Sequence, residues 1–474
     1  MKTSSKFIVG TMLGLAFLAG GYTGKSSVAS GSPSQEVAAQ LKRFVAEKEA
    51  QAKAATNNIS VFEPFFAAAS RGDWLTASNL FKELGQRVGQ FDYPGWTPTD
   101  ERLRSPVWQE VLEIFAAFEA FNEGGEEYTV LFGTNIIASI PSGAIYFGGT
   151  DRGRFIVTAL QKSQVHADPF FTLTQERLAD RTYLDYVRGL YGNKLYIPTT
   201  SDLEKCIQSY TEDVTERRSR NQLGPGENYP TGPDGKIKLG GAMAVVQVDG
   251  LLAKLVFDKN PDREFYIEES FPFGWMYPYL EPHGPIMKIN RQPLTTLSAE
   301  VVQRDHDYWT KLVAPIIGDW LHDDTSVGDI AAFAQKTFGK QDFTGFTGDP
   351  QFIQNAHSHR TFSKLRSSIA GVYTWRAQHA TGDAEKQRMN EATDFAFRQS
   401  WALCPYSPEA AFRYVNFLLQ QKRMADALLV AETAAQMPVN QGQDGEQIRQ
   451  LVEQLKNFMD SRKPSSGTNN ARRF

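Results

Sequence analysis

Two stretches of the chain carry residues whose types and spacing suit them to hold a ligand. The first is Gly148-Gly149-Thr150-Asp151-Arg152-Gly153-Arg154, placed where a strand pattern ends and a helical pattern begins. The backbone N–H groups of such a loop, with a helix N-terminus behind them, suit an anionic group, and Arg152 and Arg154 would pair with a phosphate. Asp151 would suit a metal or a sugar hydroxyl. The spacing matches neither the dinucleotide fingerprint nor the P-loop. A tight strand-to-helix turn, with Asp151 capping the helix, accounts for the same residues. The second stretch runs Phe271-Pro-Phe-Gly-Trp-Met-Tyr-Pro-Tyr-Leu-Glu-Pro-His283. Exposed rings at Trp275, Tyr277 and Tyr279 would stack on the C–H faces of a sugar while Glu281 accepts hydroxyl hydrogen bonds. The alternative is that these rings pack into an interface between domains. The candidate ligand-binding residues are therefore Gly148, Gly149, Asp151, Arg152, Arg154, Trp275, Tyr277, Tyr279 and Glu281.

Other chemistry finds less purchase. His357-x-His359 could place two metal ligands on a loop, and Arg304-Asp-His-Asp307 and His322-Asp-Asp324 could lend carboxylates. None has the fixed spacing of a zinc or calcium motif, so neither a metal nor a cofactor is expected. There is no Gly-x-Ser-x-Gly elbow and no Cys/His pair at informative spacing. A pair of catalytic carboxylates converges in space rather than in sequence, and Glu268, Glu269 and Glu281 are the acids near the aromatic stretch.

The elements that must position these residues follow from hydrophobic period. Residues 34–55 read as a polar helix with a thin stripe at Val37, Leu41 and Val45, either a solvated spacer or a helix covering a neighbour. Helices follow from Ile59, with a turn at Arg71-Gly-Asp73, and from Pro106 to Asn122. Ala77-x3-Phe81 has the spacing found in tetratricopeptide repeats. The period then becomes β-like at Tyr128–Thr134. Strands are expected between the turn at Ile140 and the glycine loop at Gly148, and at 169–174, 264–267 and 284–289, and helices from about Phe155, at 182–191, at 200–220 and at 242–258. Such alternation predicts an α/β domain over 128–295, Rossmann-like with a mostly parallel sheet. The Gly/Pro-rich segment 221–239 is expected to be a flexible lid or an insertion. From 296 to 460 the pattern is helical. Pro405 and Pro438 close two successive units 33 residues apart, within one residue of the tetratricopeptide period. Residues 461–474 read as a disordered tail.

Composition bounds the rest. The 474 residues carry a formal net charge of −4, which gives no basic field for nucleic acid. Two cysteines, Cys206 and Cys404, exclude a disulfide scaffold. Lys2 and Lys6 precede an apolar run over 7–22 and a small-residue stretch ending near Ser30, the pattern of a signal peptide or N-terminal anchor over 1–30. Membrane contact is expected only through residues 7–22, with the mature chain periplasmic or extracellular.

The run from Ile140 to Asp151 resembles the turn, strand and loop that open the soluble C-terminal region of bacterial protein O-mannosyltransferase-like membrane proteins, of the C-type glycosyltransferase superfamily. Arg263–Glu269 and Met276–Ile289 are similar to that region's closing strand, loop and strand. The resemblance covers about Ala138 to Asn290 and implies an extracytoplasmic α/β domain followed by helical, repeat-like segments. The multi-spanning domain that holds the family's transferase site has no counterpart here, so no catalytic residue is implied. The expected function is an exported, non-enzymatic scaffold that binds a protein or peptide partner of the cell envelope through its helical repeats. The alternatives are a glycan- or lipid-linked-sugar-binding accessory of envelope glycosylation and a carboxylate-dependent hydrolase or transferase.

Overall fold

The structure, a computed structural model, describes residues 34–56, 59–88, 103, 105–149, 152–224, 226–233, 235–441 and 445–461. The chain divides into two compact units, Met1–Asp305 and His306–Phe474. It is mostly helical, with one mixed five-stranded sheet.

The first unit opens with five helices: α1 (Gln35–Ala55), α2 (Glu63–Ser70), α3 (Trp74–Val88), α4 (Val107–Gly124) and α5 (Glu126–Ser139). Of the two readings of 34–55, covering a neighbour is the one observed: Val37, Leu41, Phe44 and Val45 of α1 are buried, and α1 packs on α2 and α4. The stretch 128–134 is helical rather than β-like, which corrects the reading from period. Gly125, at φ 68°, breaks the chain between α4 and α5, and Tyr128, Phe132 and Ile136 then bury at four-residue spacing. Gly133 has a reason to lack a side chain, since a Cβ there would lie 2.5 Å from Leu160 Cδ1.

The sheet follows: β1 (Ile145–Gly148), α6 (Arg152–Leu160), β2 (Phe171–Thr174), α7 (Arg181–Tyr191), α8 (Thr200–Ser219), α9 (Gly241–Lys259), β3 (Phe265–Glu268), β4 (Leu280–His283) and β5 (Ile286–Ile289). Its order is β2-β1-β3-β5-β4. β1 pairs in parallel with β2 and β3, while β5 runs antiparallel to β3 and β4. All four residues of β1, β2 and β3 are buried, as expected when helices cover both faces of parallel strands. β4 had no signal in the sequence, because it lies inside the Pro-rich aromatic stretch.

An edge strand exposes unpaired backbone groups, and β2 is an edge. Two tyrosines of α7 cover it. The Tyr191 hydroxyl accepts from Thr172 N and donates to Thr172 O, each at 3.0 Å, and the Tyr183 hydroxyl accepts from Thr174 N at 2.6 Å.

The segment 221–239 is held rather than free. Its Glu227 carboxylate accepts two hydrogen bonds from Arg217, one from Tyr210 Oη at 2.7 Å and one from Gly224 N at 2.6 Å. These anchors tie the segment to α8 and hold the carboxyl down at about 2, chiefly through the Arg217 hydrogen bonds.

Helix α10 (Ala299–Ile317) carries the chain into the second unit, which contains α11 (Val327–Phe333), α12 (Pro350–Gln354), α13 (Ala356–His379), α14 (Asp383–Leu403), α15 (Pro408–Gln420), α16 (Met424–Gln436) and α17 (Glu446–Ser461). α13 with α14 and α15 with α16 form successive hairpins, and α17 packs on α16. Ser363 and Ser400 donate to each other's carbonyl oxygen at 2.8 and 2.9 Å, which brings α13 close to α14. Rings of Phe397, Tyr414 and Phe417 stack or tilt against one another between α14 and α15. Among the described residues no helix is long and apolar enough to cross a membrane. Residues 1–30, read above as a signal peptide or anchor, and the tail from 462 lie outside the described residues.

Candidate functional site

At the carboxyl edge of the parallel strands, Gly148 stands in register with Thr174 and Glu268. Gly148 and Gly149 are buried, as are Thr174, Gln175, Glu268, Glu269 and Ser270, so this edge is a packed polar layer rather than an open crevice. The Tyr146 hydroxyl donates to Glu268 Oε2 at 3.0 Å. A Cβ on Gly153 would lie 3.2 Å from that same oxygen. The first turn of α6 is thus already faced by a carboxylate of the chain itself, where an anionic ligand was expected. Thr150 and Asp151 lie outside the described residues, and Arg152 is the first residue of α6.

Arg154 is not available to a phosphate, which corrects its expected role. Its stem crosses the end of β1, where a Cβ on Gly148 would lie 2.6 Å from Arg154 Cγ. Its Nη1 donates to Glu113 Oε1 at 3.0 Å, and both side chains are almost fully buried. Glu113 Oε2 also accepts from Tyr186 Oη at 2.8 Å and contacts Lys48 Nζ at 2.5 Å. Lys48 reaches Glu110 Oε2 at 3.1 Å and donates to Tyr186 Oη. Four helices therefore meet at one buried ionic cluster: α1, α4, α6 and α7.

Burial pushes the Glu110 carboxyl up to about 7, against the pull of Lys48 and with added repulsion from Glu113 and Glu47. Burial acts on Glu113 the same way, but Lys48, Arg154 and the Tyr186 hydroxyl overcome it and hold its carboxyl below the usual range. Burial alone would lower Lys48, and its two carboxylate neighbours raise it instead. Sequence reasoning missed this cluster. One signal was present: Lys48 falls on the same buried stripe of α1 as Val37, Leu41, Val45 and Ala52, and Glu110 and Glu113 sit among Val107, Val111 and Ile114.

The aromatic stretch folds back on α9. Trp275 Nε1 donates to Gly250 O at 3.0 Å, and its ring lies 5.4 Å from Phe257 and 6.2 Å from Tyr279. Phe273 is buried against Gly250, and Lys254 Nζ sits 5.6 Å from the Trp275 ring. Tyr277 is half-buried in a single 3-10 turn, and Glu281 lies on β4 opposite Lys288. The rings pack within their own unit. They also lie on the opposite face of the sheet from Arg154: Phe257 of α9 touches Phe265, the in-register partner of Ile145, whereas a Cβ on Gly148, which alternates to the other face, would meet Arg154. The two candidate stretches do not converge.

His359 is buried, with Nδ1 2.8 Å from the Tyr406 hydroxyl and Nε2 against Phe352 O; burial lowers its pKa to about 3. His357 lies near it on the first turn of α13. His306 contacts Asp323 at 3.1 Å and stacks on Phe395. Among the described residues no group of three or more His, Cys, Asp or Glu is placed to hold a metal ion. Cys206 and Cys404 are both free thiols, the second buried.

An open cleft of about 410 Å³ lies in the second unit, between the first half of α14 and the α15–α16 turn. Phe417 is buried at its base. Arg423 and Asp394 pair at 2.9 Å on one wall, and Gln421 Nε2 donates to Asn390 Oδ1 at 3.0 Å. Asp383, Lys386, Gln387 and Glu391 complete the lining. No protein-family model matches the sequence, and comparison with curated proteins and with solved structures found no match.

Proposed function

We propose that this protein is an exported, non-enzymatic scaffold of the cell envelope that binds a protein or peptide partner through its helical second unit. The cleft between α14 and the α15–α16 turn carries this reading. It offers an apolar base, both signs of charge and a linked pair of side-chain amides, a group that carries both donors and acceptors. A peptide group presents the complementary acceptor and donor. We read the successive hairpins α13–α14 and α15–α16 as tetratricopeptide-like, and the parallel strands β2-β1-β3 with their crossover helices as a Rossmann-like half that supports rather than reacts. The proposal does not extend to a glycan, because the rings of the 271–283 stretch are engaged with α9.

A photo-crosslinking side chain at Gln387, in the mature protein exposed to envelope extract, tests this reading. A reproducible adduct lost on Asn390→Ala supports it. An adduct that forms equally with Asn390→Ala, or only from a crosslinker at exposed Ile207 in the first unit, contradicts it.

A further inference from the structure

Lys48, Glu110, Glu113, Arg154 and Tyr186 are joined by contacts of 2.5–3.1 Å and take no part in the proposed binding cleft. Replacing a buried ionic group by an apolar one of similar size is often neutral or stabilising, so such a cluster is weak evidence for stability as such. Its two acids are unequally supported. Glu113 is met by an ammonium, a guanidinium and a phenol, whereas Glu110 meets only the ammonium, in an ion pair without hydrogen-bond alignment. The single cation that serves Glu110 also serves Glu113, and it is the only charged side chain that α1 inserts into the core.

We propose that this cluster is a proton-controlled clasp, which holds α1 against α4, α6 and α7 while Glu110 carries a proton and slackens as Glu110 ionises. The groups around the two acids set the direction. Lys48 and Glu47 of α1, Glu113 of α4 itself and Tyr186 of α7 act on Glu110, while Arg154 of α6 and Tyr183 of α7 act on Glu113 beside it. The charged side chains Glu63 of α2, Lys82 and Glu83 of α3, and Glu127 of α5 are exposed; Arg87 closes the last turn of α3, and Glu126 of α5 accepts from Ser34 N. Ionised Glu110 stands beside ionised Glu113 and shares its cation, with no second donor to compensate burial. The folded-state carboxyl titrates near 7 against 4.5 when released, so the closed state binds the extra proton. The closed state is therefore favoured on the acid side of that window and weakened as pH rises through it.

Hydrogen exchange on the whole protein, followed at the amides of 37–48 from about pH 5 to about pH 8.5 and corrected for intrinsic rates, tests the clasp. The opening constant of α1 is expected to rise by about tenfold or more across that range, a discounted form of the factor that the shift implies. Glu110→Gln keeps the shape and removes the charge; it is expected to give the acid-side protection at every pH. A wild-type opening constant that stays within about twofold overturns the proposal, and that profile decides the matter even if the variant does not fold. A rise of the same size in Glu110→Gln also overturns it, since the pH dependence would then have another source.

Discussion

The 221–239 segment gives the most direct quantitative handle on how this chain orders a Gly/Pro-rich stretch. Glu227→Gln leaves the side-chain shape but removes the charge that Arg217 grips with two hydrogen bonds. The amide also turns one oxygen into a donor, which then faces Arg217 together with either Tyr210 Oη or Gly224 N. The carboxyl lies at about 2 against 4.5 when released, a gap of about 2.5 units. At 1.36 kcal/mol per unit that is about 3.4 kcal/mol of added grip. Arg217 is 27% exposed, so solvent screening brings the expected figure to about 2 kcal/mol. The sign is that of a depressed carboxyl: the grip is complete above 4.5 and is lost as pH falls through 2. Because the segment opens locally, the loss should appear in its own opening rather than in the melting of the unit. Trypsin at about pH 7.5 reports it at exposed Arg220, Lys236 and Lys238. When reclosing is faster than cleavage, 2 kcal/mol corresponds to about a 30-fold faster cut. A rate within about threefold of wild type would refute the reasoning and return the segment to a free lid.

Three further outcomes follow from the same contacts. Gly148→Ala forces a Cβ to 2.6 Å from the Arg154 stem and should lower the stability of the first unit by about 1–3 kcal/mol in urea unfolding. Arg154→Met leaves Glu113 buried with one cation fewer and should cost about 3 kcal/mol, relieved in part by the added change Glu113→Gln. His359, buried neutral and lowered to about 3 from 6.5, contributes stability that is lost as pH falls below 6.5. About 2 kcal/mol of the second unit's stability should be gone at pH 5, measured by calorimetry, and His359→Gln should remove that part of the dependence.

How much of this was legible in the sequence depends on the range of the interactions. The helical character of 296–460 is legible from local apolar period, and Pro405 and Pro438 do bracket α15 and α16, whereas the short α12 and the separate α17 carry no signal of their own. Tyr128–Thr134 misleads because β-branched and aromatic residues carry a strand preference that packing of Phe132 and Ile136 overrides. The glycine loop does lie between β1 and α6, yet its arginine serves the core rather than a ligand. The partner of Arg154, Glu113, is 41 residues away, and Lys48, which completes the cluster, lies further still. No local pattern links those positions. The aromatic stretch is visible as an excess of rings, but only the fold shows that Gly250 leaves room for Phe273 and accepts from Trp275.

The central claim is that binding belongs to the cleft of the second unit and not to the glycine loop or the aromatic stretch. It is tested most directly by the affinity of the crosslinked partner, once isolated, for the full chain. The double change Asn390→Ala with Gln421→Ala is predicted to weaken binding by about tenfold or more, while Trp275→Phe leaves it unchanged. Unchanged binding by the cleft double variant, with loss on Trp275→Phe, would contradict the account.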